Sequence, residues 1–164
     1  MRRRHDTARV IWDLAAFLGK RGWTVDEVSP PPAVCIAGRW VLATAFLMVF
    51  VDGTARGSGR PAELVGQWIE RLPEALNKIA KGQFAGAMST ILALCFCDLP
   101  EPIATEALGC KQLRVFRSHH GFCRSVDFEE CTVREHVGIP FFSGHGTADI
   151  AEFLDQWRIF SASE

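Results

Sequence analysis

The hydrophobic pattern of the chain centres on one stretch, residues 41–53. Its sequence, VLATAFLMVFVDG, is apolar at nearly every position, is rich in β-branched and aromatic side chains, and ends in an Asp-Gly turn signal. A strand that is apolar on both faces is typical of a sheet covered on both sides. The pattern therefore predicts that residues 41–51 form the central strand of such a sheet.

Two shorter strands are predicted before the central one. Residues 23–28 alternate between apolar and polar side chains, which indicates an edge strand. Pro30, Pro31 and Pro32 end it, because proline donates no hydrogen bond to a strand ladder. Residues 33–37 form the second predicted strand, and Gly38-Arg39 is predicted to turn the chain into the central strand.

A second buried strand is predicted at Ser89–Cys97, after a helix that begins near Pro61 and ends at Gly82. Pro73 should kink that helix. Because a helix connects the two buried strands, we expect them to run parallel through a crossover.

Helices are also predicted near both ends of the chain. The first begins at Asp6 or Thr7 and ends at Gly22, and the last begins at Thr147. Between them we predict a short helix at 103–108, a strand at 112–117, and a small loop-rich or metal-binding excursion at 118–146 with short strands at 126–128 and 131–133. The expected fold is a single α/β domain over residues 1–164, with a mixed central sheet flanked by helices in the order α-β-β-β-α-β-α-β and a C-terminal helix.

The amino-acid composition limits the classes of function that the chain is expected to have. Of the 164 residues, 48% are hydrophobic, enough for a sizeable core, and the formal net charge of −1 does not suggest a whole face for nucleic acid. The apolar stretch 33–51 resembles a membrane span, but Arg39 lies near its centre and would cost about 2.5–3.5 kcal/mol there. Six cysteines without a secretory signal indicate a reducing, cytoplasmic location.

Cysteine and histidine residues are concentrated between residues 110 and 145. Thiolate and imidazole are the ligands that zinc prefers, and zinc needs four of them at tetrahedral corners. The spacing fits no standard zinc finger, so the simplest expectation is no cofactor, with zinc as the alternative. The candidate ligands are Cys110, His119, His120, Cys123, Cys131 and His136.

Four arginines are candidates for anion or nucleic-acid binding. Arg56 and Arg60 lie in a glycine-rich loop that follows the central strand, and glycine allows a close backbone approach to phosphate. Arg114 and Arg117 lie in the predicted strand at 112–117. The loop lacks the Lys-Ser/Thr of a P-loop, so a plain connection into the next helix is the competing interpretation.

No sequence motif identifies a catalytic site. The chain contains no G-x-S-x-G, Rossmann glycine set or H-E-x-x-H. Cys95 and Cys97 fall on one face of a predicted strand, where a nucleophilic thiol would need a neighbour that favours the thiolate. The sequence therefore predicts no catalytic residue, and a cysteine–histidine pair stays the weaker alternative.

The element order resembles the restriction-endonuclease-like fold over residues 6–117. One supporting pattern is the first helix, with Ile11, Leu14, Phe17 and Leu18, which runs through Lys20-Arg21-Gly22-Trp23 into the edge strand at Thr24-Val25. The other is the helix, buried strand and short helix from Pro61 to Leu108. Active members of that family carry an acidic residue and an acid-x-Lys pair on neighbouring central strands, which hold a divalent metal. The stretch 41–51 contains neither, so the resemblance implies a catalytically inactive copy.

These observations favour a non-catalytic domain that acts as a binding, adaptor or structural subunit of a larger assembly, such as a phage-like or DNA-associated particle. Its partner would be another protein or further copies of itself. The proline segment 30–32, the loop at 140–142 and the aromatic C-terminal helix are the candidate interfaces. Two alternatives remain: a degenerate nuclease-like domain that binds nucleic acid, and a zinc-dependent enzyme that uses the Cys/His region.

Overall fold

The computed structural model describes residues 5–28, 33–54, 89–108, 113–116, 119–135 and 145–163. These ranges contain helices and strands in an order close to the predicted one, so the predicted α/β class is confirmed. In chain order the elements are α1 (Thr7–Lys20), β1 (Thr24–Glu27), β2 (Ala33–Val41), β3 (Thr44–Asp52), β4 (Ser89–Cys97), α2 (Glu101–Leu108), β5 (Leu113–Phe116), β6 (His119–Asp127), β7 (Thr132–Glu135) and α3 (Thr147–Ser163).

The described strands form one mixed sheet in the order β1-β2-β3-β4-β6-β5, with β7 also paired to β6. Strands β1, β2 and β3 are antiparallel neighbours, whereas β3, β4 and β6 run parallel. The predicted parallel pairing of the central strand with Ser89–Cys97 is therefore confirmed. We call the end of the sheet where these three parallel strands finish the carboxyl edge, and the opposite end the amino edge.

The predicted turn at Gly38-Arg39 is wrong. Strand β2 continues through both residues, with Gly38 opposite Leu47 and Arg39 opposite Phe46, and the turn follows at Leu42-Ala43. The central strand therefore begins at Thr44 rather than Val41. A glycine inside a strand is tolerated when both neighbouring strands pair with it, and here that pairing outweighs the local turn preference of Gly-Arg.

The predicted excursion at 118–146 also needs correction. Residues 119–127 form β6, which lies inside the sheet between β4 and β5, and β7 extends the sheet beside it. The short strands predicted at 126–128 and 131–133 overlap only the end of β6 and the start of β7. Polar residues such as Arg124 and Ser125 hid this strand in the sequence pattern, although both side chains are buried.

Side chains alternate between the two faces of the sheet and form two buried clusters. The cluster on one face is completed by apolar residues of α1 and α3, so we call this side the helix face. The cluster on the other face includes Leu47, Leu92 and Cys123, and Val28 and Leu99 pack at its margin. The helix predicted near residues 61–82 lies outside the described residues. Within the described ranges, no helix is both long and apolar enough to cross a membrane.

Candidate functional site

Carboxylates occur where each of three neighbouring parallel strands ends. Asp52 is the last residue of β3, Asp98 directly follows β4, and Asp127 is the last residue of β6. In the strand register Asp52 lies opposite Cys97, and Cys97 lies opposite Val126, so the three carboxylates meet at the carboxyl edge. This is the edge at which open α/β sheets usually bind ligands.

Asp98 joins three separate parts of the fold. Its Oδ2 accepts a hydrogen bond from Thr7 Oγ1 at 2.6 Å and lies 2.6 Å from His5 Nε2. Its Oδ1 accepts the Phe128 N–H at 2.8 Å. The backbone of Asp98 has a φ of 55°, a left-handed conformation that Asp tolerates better than most residues. Asp98 therefore ties the start of α1 and the end of β6 to the end of β4.

The neighbouring carboxylates are also held by local donors. Asp52 Oδ1 accepts the Thr54 N–H at 2.9 Å and the Thr54 hydroxyl at 2.6 Å. Asp127 Oδ1 accepts the Glu130 N–H at 2.8 Å. These turns fix the direction in which the chain leaves each strand, so the carboxylates have defined positions.

Gly53 allows the ends of β3 and β4 to approach closely. Its N–H donates to the Cys97 carbonyl at 2.8 Å, and a Cβ at this position would lie 2.4 Å from the same oxygen. Only glycine fits this contact without a backbone shift. The Asp-Gly signal in the sequence thus marks a close strand contact as well as a turn.

A cleft of about 680 Å³ opens at the carboxyl edge. Most of its charged groups are carboxylates, and Leu99 and Pro100 contribute apolar surface. Glu101 at its margin receives two hydrogen bonds of 2.8 Å from Arg134, which lower the pKa of that carboxyl. The lining residues are His5, Thr7, Thr54, Asp98, Leu99, Pro100, Glu101, Asp127, Glu129 and Glu130.

The C-terminal half of α3 extends beside this cleft. The ring of His5, which lines the cleft, contacts the Trp157 ring with centroids 6.2 Å apart. The buried positions of α3 are Ile150, Phe153 and Leu154, and the partly buried Trp157 still packs against the helix-face cluster. Beyond that point Ile159 and Phe160 are each 71% exposed. We call the cleft together with Trp157, Ile159 and Phe160 the carboxyl-edge surface.

A second polar cluster is buried on the helix face of the sheet. The Arg124 side chain is fully buried on the helix face, where its Nε donates to Glu135 Oε2 at 2.9 Å. Its other nitrogens donate to Met48 Sδ and to the His145 backbone carbonyl. Arg124 therefore holds the residues that precede α3 against the sheet.

His145 completes this cluster. Its Nε2 accepts a hydrogen bond from Arg39 Nε at 2.8 Å, and its ring packs 4.5 Å from the Phe46 ring. Burial, followed by the charges of Arg39 and Arg124, lowers the pKa of His145. Asp149 accepts the Trp23 indole N–H at 3.0 Å. The contacts of Arg39 with His145 and Asp149, and of Arg124 with the His145 carbonyl, join the start of α3 to the sheet.

The predicted zinc ligands are not brought together where the structure describes them. Cys123 packs in the cluster opposite the helix face, whereas Cys131 packs against the helix-face cluster. The sheet separates the two thiols, so they cannot bind one ion together. His119 and His120 are placed in β6, while Cys110 and His136 lie outside the described residues. Among the described side chains, no group of three or more His, Cys, Asp or Glu is arranged to hold a metal ion.

The predicted anion-binding arginines stay a prediction. Arg114 is placed in β5, and Arg56, Arg60 and Arg117 lie outside the described residues. Two of the three predicted interfaces, residues 30–32 and 140–142, also lie outside them. The third, the C-terminal helix, is described and has the exposed apolar end reported above.

Cys95 and Cys97 have the properties of core residues. Both are fully buried, and burial raises the pKa of Cys95 to about 11 and that of Cys97 well above its ordinary value. A protonated thiol without solvent access is a poor nucleophile. The cysteine–histidine alternative thus receives no support from these two positions.

The sequence interpretation missed the carboxyl-edge surface. Its signal was present, because an aspartate follows each of the apolar runs that form β3, β4 and the end of β6. The signal becomes specific only once the three strands are known to be parallel neighbours. His5 was harder to find, since it precedes α1 and reaches Asp98 across 93 positions of sequence.

Comparison with known proteins adds no assignment: no protein-family model, curated protein or solved structure matches the chain.

Proposed function

We propose that the chain is a non-catalytic binding domain, a structural or adaptor subunit of a larger assembly, which docks a protein partner on the carboxyl-edge surface. The observation that carries this proposal is the exposed apolar end of α3 beside a cleft lined by carboxylates.

The apolar part of the surface supports docking. Single exposed apolar side chains are ordinary, but Phe160 lies about one turn beyond Trp157, and Ile159 next to it is exposed as well, where the helix has left the core. Covering such side chains removes apolar area from water, which contributes roughly 25 cal/mol per Å². Aromatic side chains at the centre of a contact surrounded by polar groups are typical of protein interfaces.

The charged part of the surface indicates the chemistry of the partner. Asp127, Glu129 and Glu130 line the cleft near the end of β6, and Asp98 lies beside them. Carboxylates attract lysine and arginine side chains and repel phosphate. The partner segment would therefore combine cationic and apolar side chains, and nucleic acid would have to bind elsewhere on the molecule.

The contacts of the cleft suit binding better than catalysis. Both oxygens of Asp98 are occupied by donors, and His5 Nε2 faces that carboxylate. Asp52 and Asp127 each accept a backbone N–H with one carboxylate oxygen, and that hydrogen bond holds a turn. These carboxylates act as fixed acceptors, a role that shapes a surface without requiring proton transfer.

A peptide-binding measurement tests the proposal. The probe is a fluorescent helical peptide with leucine on one face and lysine on the other, compared by fluorescence anisotropy with the same peptide carrying glutamate for lysine. We expect only the lysine peptide to bind, with an affinity that falls as salt is raised. Glu130→Lys and the double change Ile159→Ser, Phe160→Ser should each weaken binding by about tenfold or more.

The control for these variants is Asp13→Lys, which makes the same charge change on the exposed face of α1. It should bind the lysine peptide like the unchanged protein. Equal affinity for both peptides would contradict the proposal. A loss of affinity in Asp13→Lys as large as that in Glu130→Lys would contradict it as well. A DNA duplex measured in parallel tests the nucleic-acid alternative, which predicts binding with a steep salt dependence.

A further inference from the structure

His145 joins the start of α3 to three strands of the sheet. It lies two residues before the helix begins at Thr147. Its ring nitrogen Nε2 accepts a hydrogen bond from Arg39 Nε in β2 at 2.8 Å, and its backbone carbonyl accepts one from Arg124 in β6. Its ring also packs against Phe46 in β3, with centroids 4.5 Å apart. The position of the helix start therefore depends on a residue whose side chain can take up a proton.

Protonation of the His145 ring is incompatible with its contact to Arg39. The neutral ring accepts at Nε2, so its proton is on Nδ1. A protonated imidazole donates from both nitrogens, and an arginine side chain offers no acceptor. Two donors, both positively charged, would then face each other at hydrogen-bond distance. Protonation therefore replaces an attractive contact with a repulsive one.

Charged groups from four elements lie around His145. Arg39 of β2 is 3.6 Å from Asp149 of α3, and Arg124 of β6 pairs with Glu135 of β7 at 2.9 Å. Burial, followed by the charges of Arg39 and Arg124, lowers the pKa of His145, whereas Asp149 raises it. The balance of these effects keeps the ring neutral while the helix start is attached.

We propose that His145 is a pH-sensitive latch: protonation of its ring releases the start of α3 from the sheet while the rest of the fold stays formed. The ladders of the described strands do not include His145, so its protonation leaves their hydrogen bonds intact. The part that opens is the first turn of α3, where the Ile150 N–H donates to the Gly146 carbonyl at 3.1 Å. This inference goes beyond the proposed function, because the latch requires no partner.

The middle of α3 has anchors that do not titrate. The Phe153 ring packs 5.7 Å from the Phe17 ring of α1 and 6.4 Å from the Phe128 ring, measured between centroids. Leu154 is buried beside it. These apolar contacts are independent of pH, so we expect the helix to stay attached there when its first turn is released.

Proton linkage sets the direction of the effect. In the released state the His145 ring is in water, and its pKa returns to the ordinary value of 6.5, above its value in the attached state. The released state therefore binds the proton more readily, and its population rises as pH falls below about 6.5. Between about pH 7.5 and about pH 5.5 we expect the ratio of released to attached molecules to rise by about three- to tenfold.

Native-state hydrogen exchange of the whole chain tests the latch, read at single amides by NMR and corrected for the intrinsic effect of pH on exchange. The Ile150 amide reports release of the first turn, and the amides of β4, which is paired on both sides, report opening of the sheet. We expect Ile150 to be less protected than β4 and to respond little to added denaturant, because local release exposes little surface. Its protection should fall by the factor given above as the pH is lowered.

Three variants separate titration from simple loosening. His145→Gln keeps an acceptor for Arg39 but cannot be protonated, so Ile150 exchange should lose its dependence on pH. Arg39→Gln removes one of the facing charges, so the dependence should become weaker. Gly146→Ala is the matched control: its Cβ would lie 2.8 Å from Met48 Sδ, which loosens the same turn and keeps the titrating ring. Its exchange should be faster at every pH, with the pH dependence unchanged.

Other results would overturn the inference. If Ile150 and the β4 amides show equal protection and equal dependence on denaturant, the helix start is not released separately from the sheet. If the local exchange does not respond to pH, or responds equally in His145→Gln, His145 is not the latch. Should His145→Gln fail to fold, Arg39→Gln decides the question, since an unchanged pH dependence there contradicts the role of the facing charge.

Discussion

At the scale of single residues, the most informative side chains are the buried polar ones. Arg124 is fully buried, yet its nitrogens contact Glu135, Met48 and the His145 carbonyl. A buried ion pair adds little net stability compared with apolar packing, but removing one partner leaves an unpaired charge and is costly. These contacts fix the position of His145, two residues before α3 begins. Apolar packing alone would define that position less sharply.

His145 should make stability depend on pH. Its pKa is lowered from an ordinary value of 6.5, by burial first and then by Arg39 and Arg124, although Asp149 opposes the shift. The unfolded chain therefore binds a proton more readily than the folded one, so the free energy of unfolding falls as pH drops below about 6.5. Above that pH the contribution of His145 is fully present.

Chemical unfolding followed from about pH 7.5 to about pH 5 measures this effect. His145→Gln keeps an acceptor for Arg39 but cannot be protonated, so its curve should be flatter. An unchanged slope in His145→Gln would contradict the assignment.

At the scale of elements, α3 shows how one helix serves two purposes. Its first turns are anchored by Ile150, Phe153 and Leu154, and its last turns are exposed. Gly146 precedes the helix with a φ of 80°, and a Cβ there would lie 2.8 Å from Met48 Sδ. The start of the helix is thus pressed onto the sheet while its end stays available for contact.

Gly146→Ala should reduce the free energy of unfolding by about 1–3 kcal/mol, because it adds both a crowded Cβ and an unfavourable φ. Gly19→Ala is the matched control. Gly19 lies within α1 with no atom near its Cβ position, so alanine there should stabilise by up to about 1 kcal/mol. Denaturant titrations of the two variants measure both effects. Equal stability changes in both would show that the contact with Met48 is unimportant.

At the scale of the whole molecule, the sheet is buried on both faces, and carboxylates are concentrated in the cleft at its carboxyl edge. The formal net charge of −1 does not reveal this local concentration. Among the described residues, this burial on both faces encloses four cysteines, namely Cys35, Cys95, Cys97 and Cys123. Burial raises the pKa of Cys35 to about 12, so this thiol stays protonated in the folded chain.

Thiol labelling should therefore report opening of the whole fold. We expect these four cysteines to remain unmodified by a thiol reagent in the native protein and to react fully in denaturant, as read by mass spectrometry of peptides. Cys131, which is only half-buried, should react earlier and provides an internal comparison. Fast native labelling of Cys95 or Cys97 would show that the helix face opens without global unfolding.

The sequence by itself determined much of the architecture. Long apolar runs with β-branched residues define β3 and β4 in any context, and helical spacing defines α1 and α3. The parallel pairing of β3 with β4 followed from the length of chain between them. The same information located the exposed aromatic helix as a candidate interface, because its apolar stripe continues to Phe160.

Only the tertiary structure decided the rest. The turn between β2 and β3 lies at Leu42-Ala43 and not at the predicted Gly38-Arg39, because strand pairing there outweighs the local turn preference. Strand β6 was hidden because Arg124 is polar in sequence yet buried through partners distant along the chain. At the carboxyl edge His5 meets Asp98 across 93 positions of sequence, and no local pattern predicts that contact. Contacts between distant segments depend on the packing of the whole chain, which periodicity and composition do not specify.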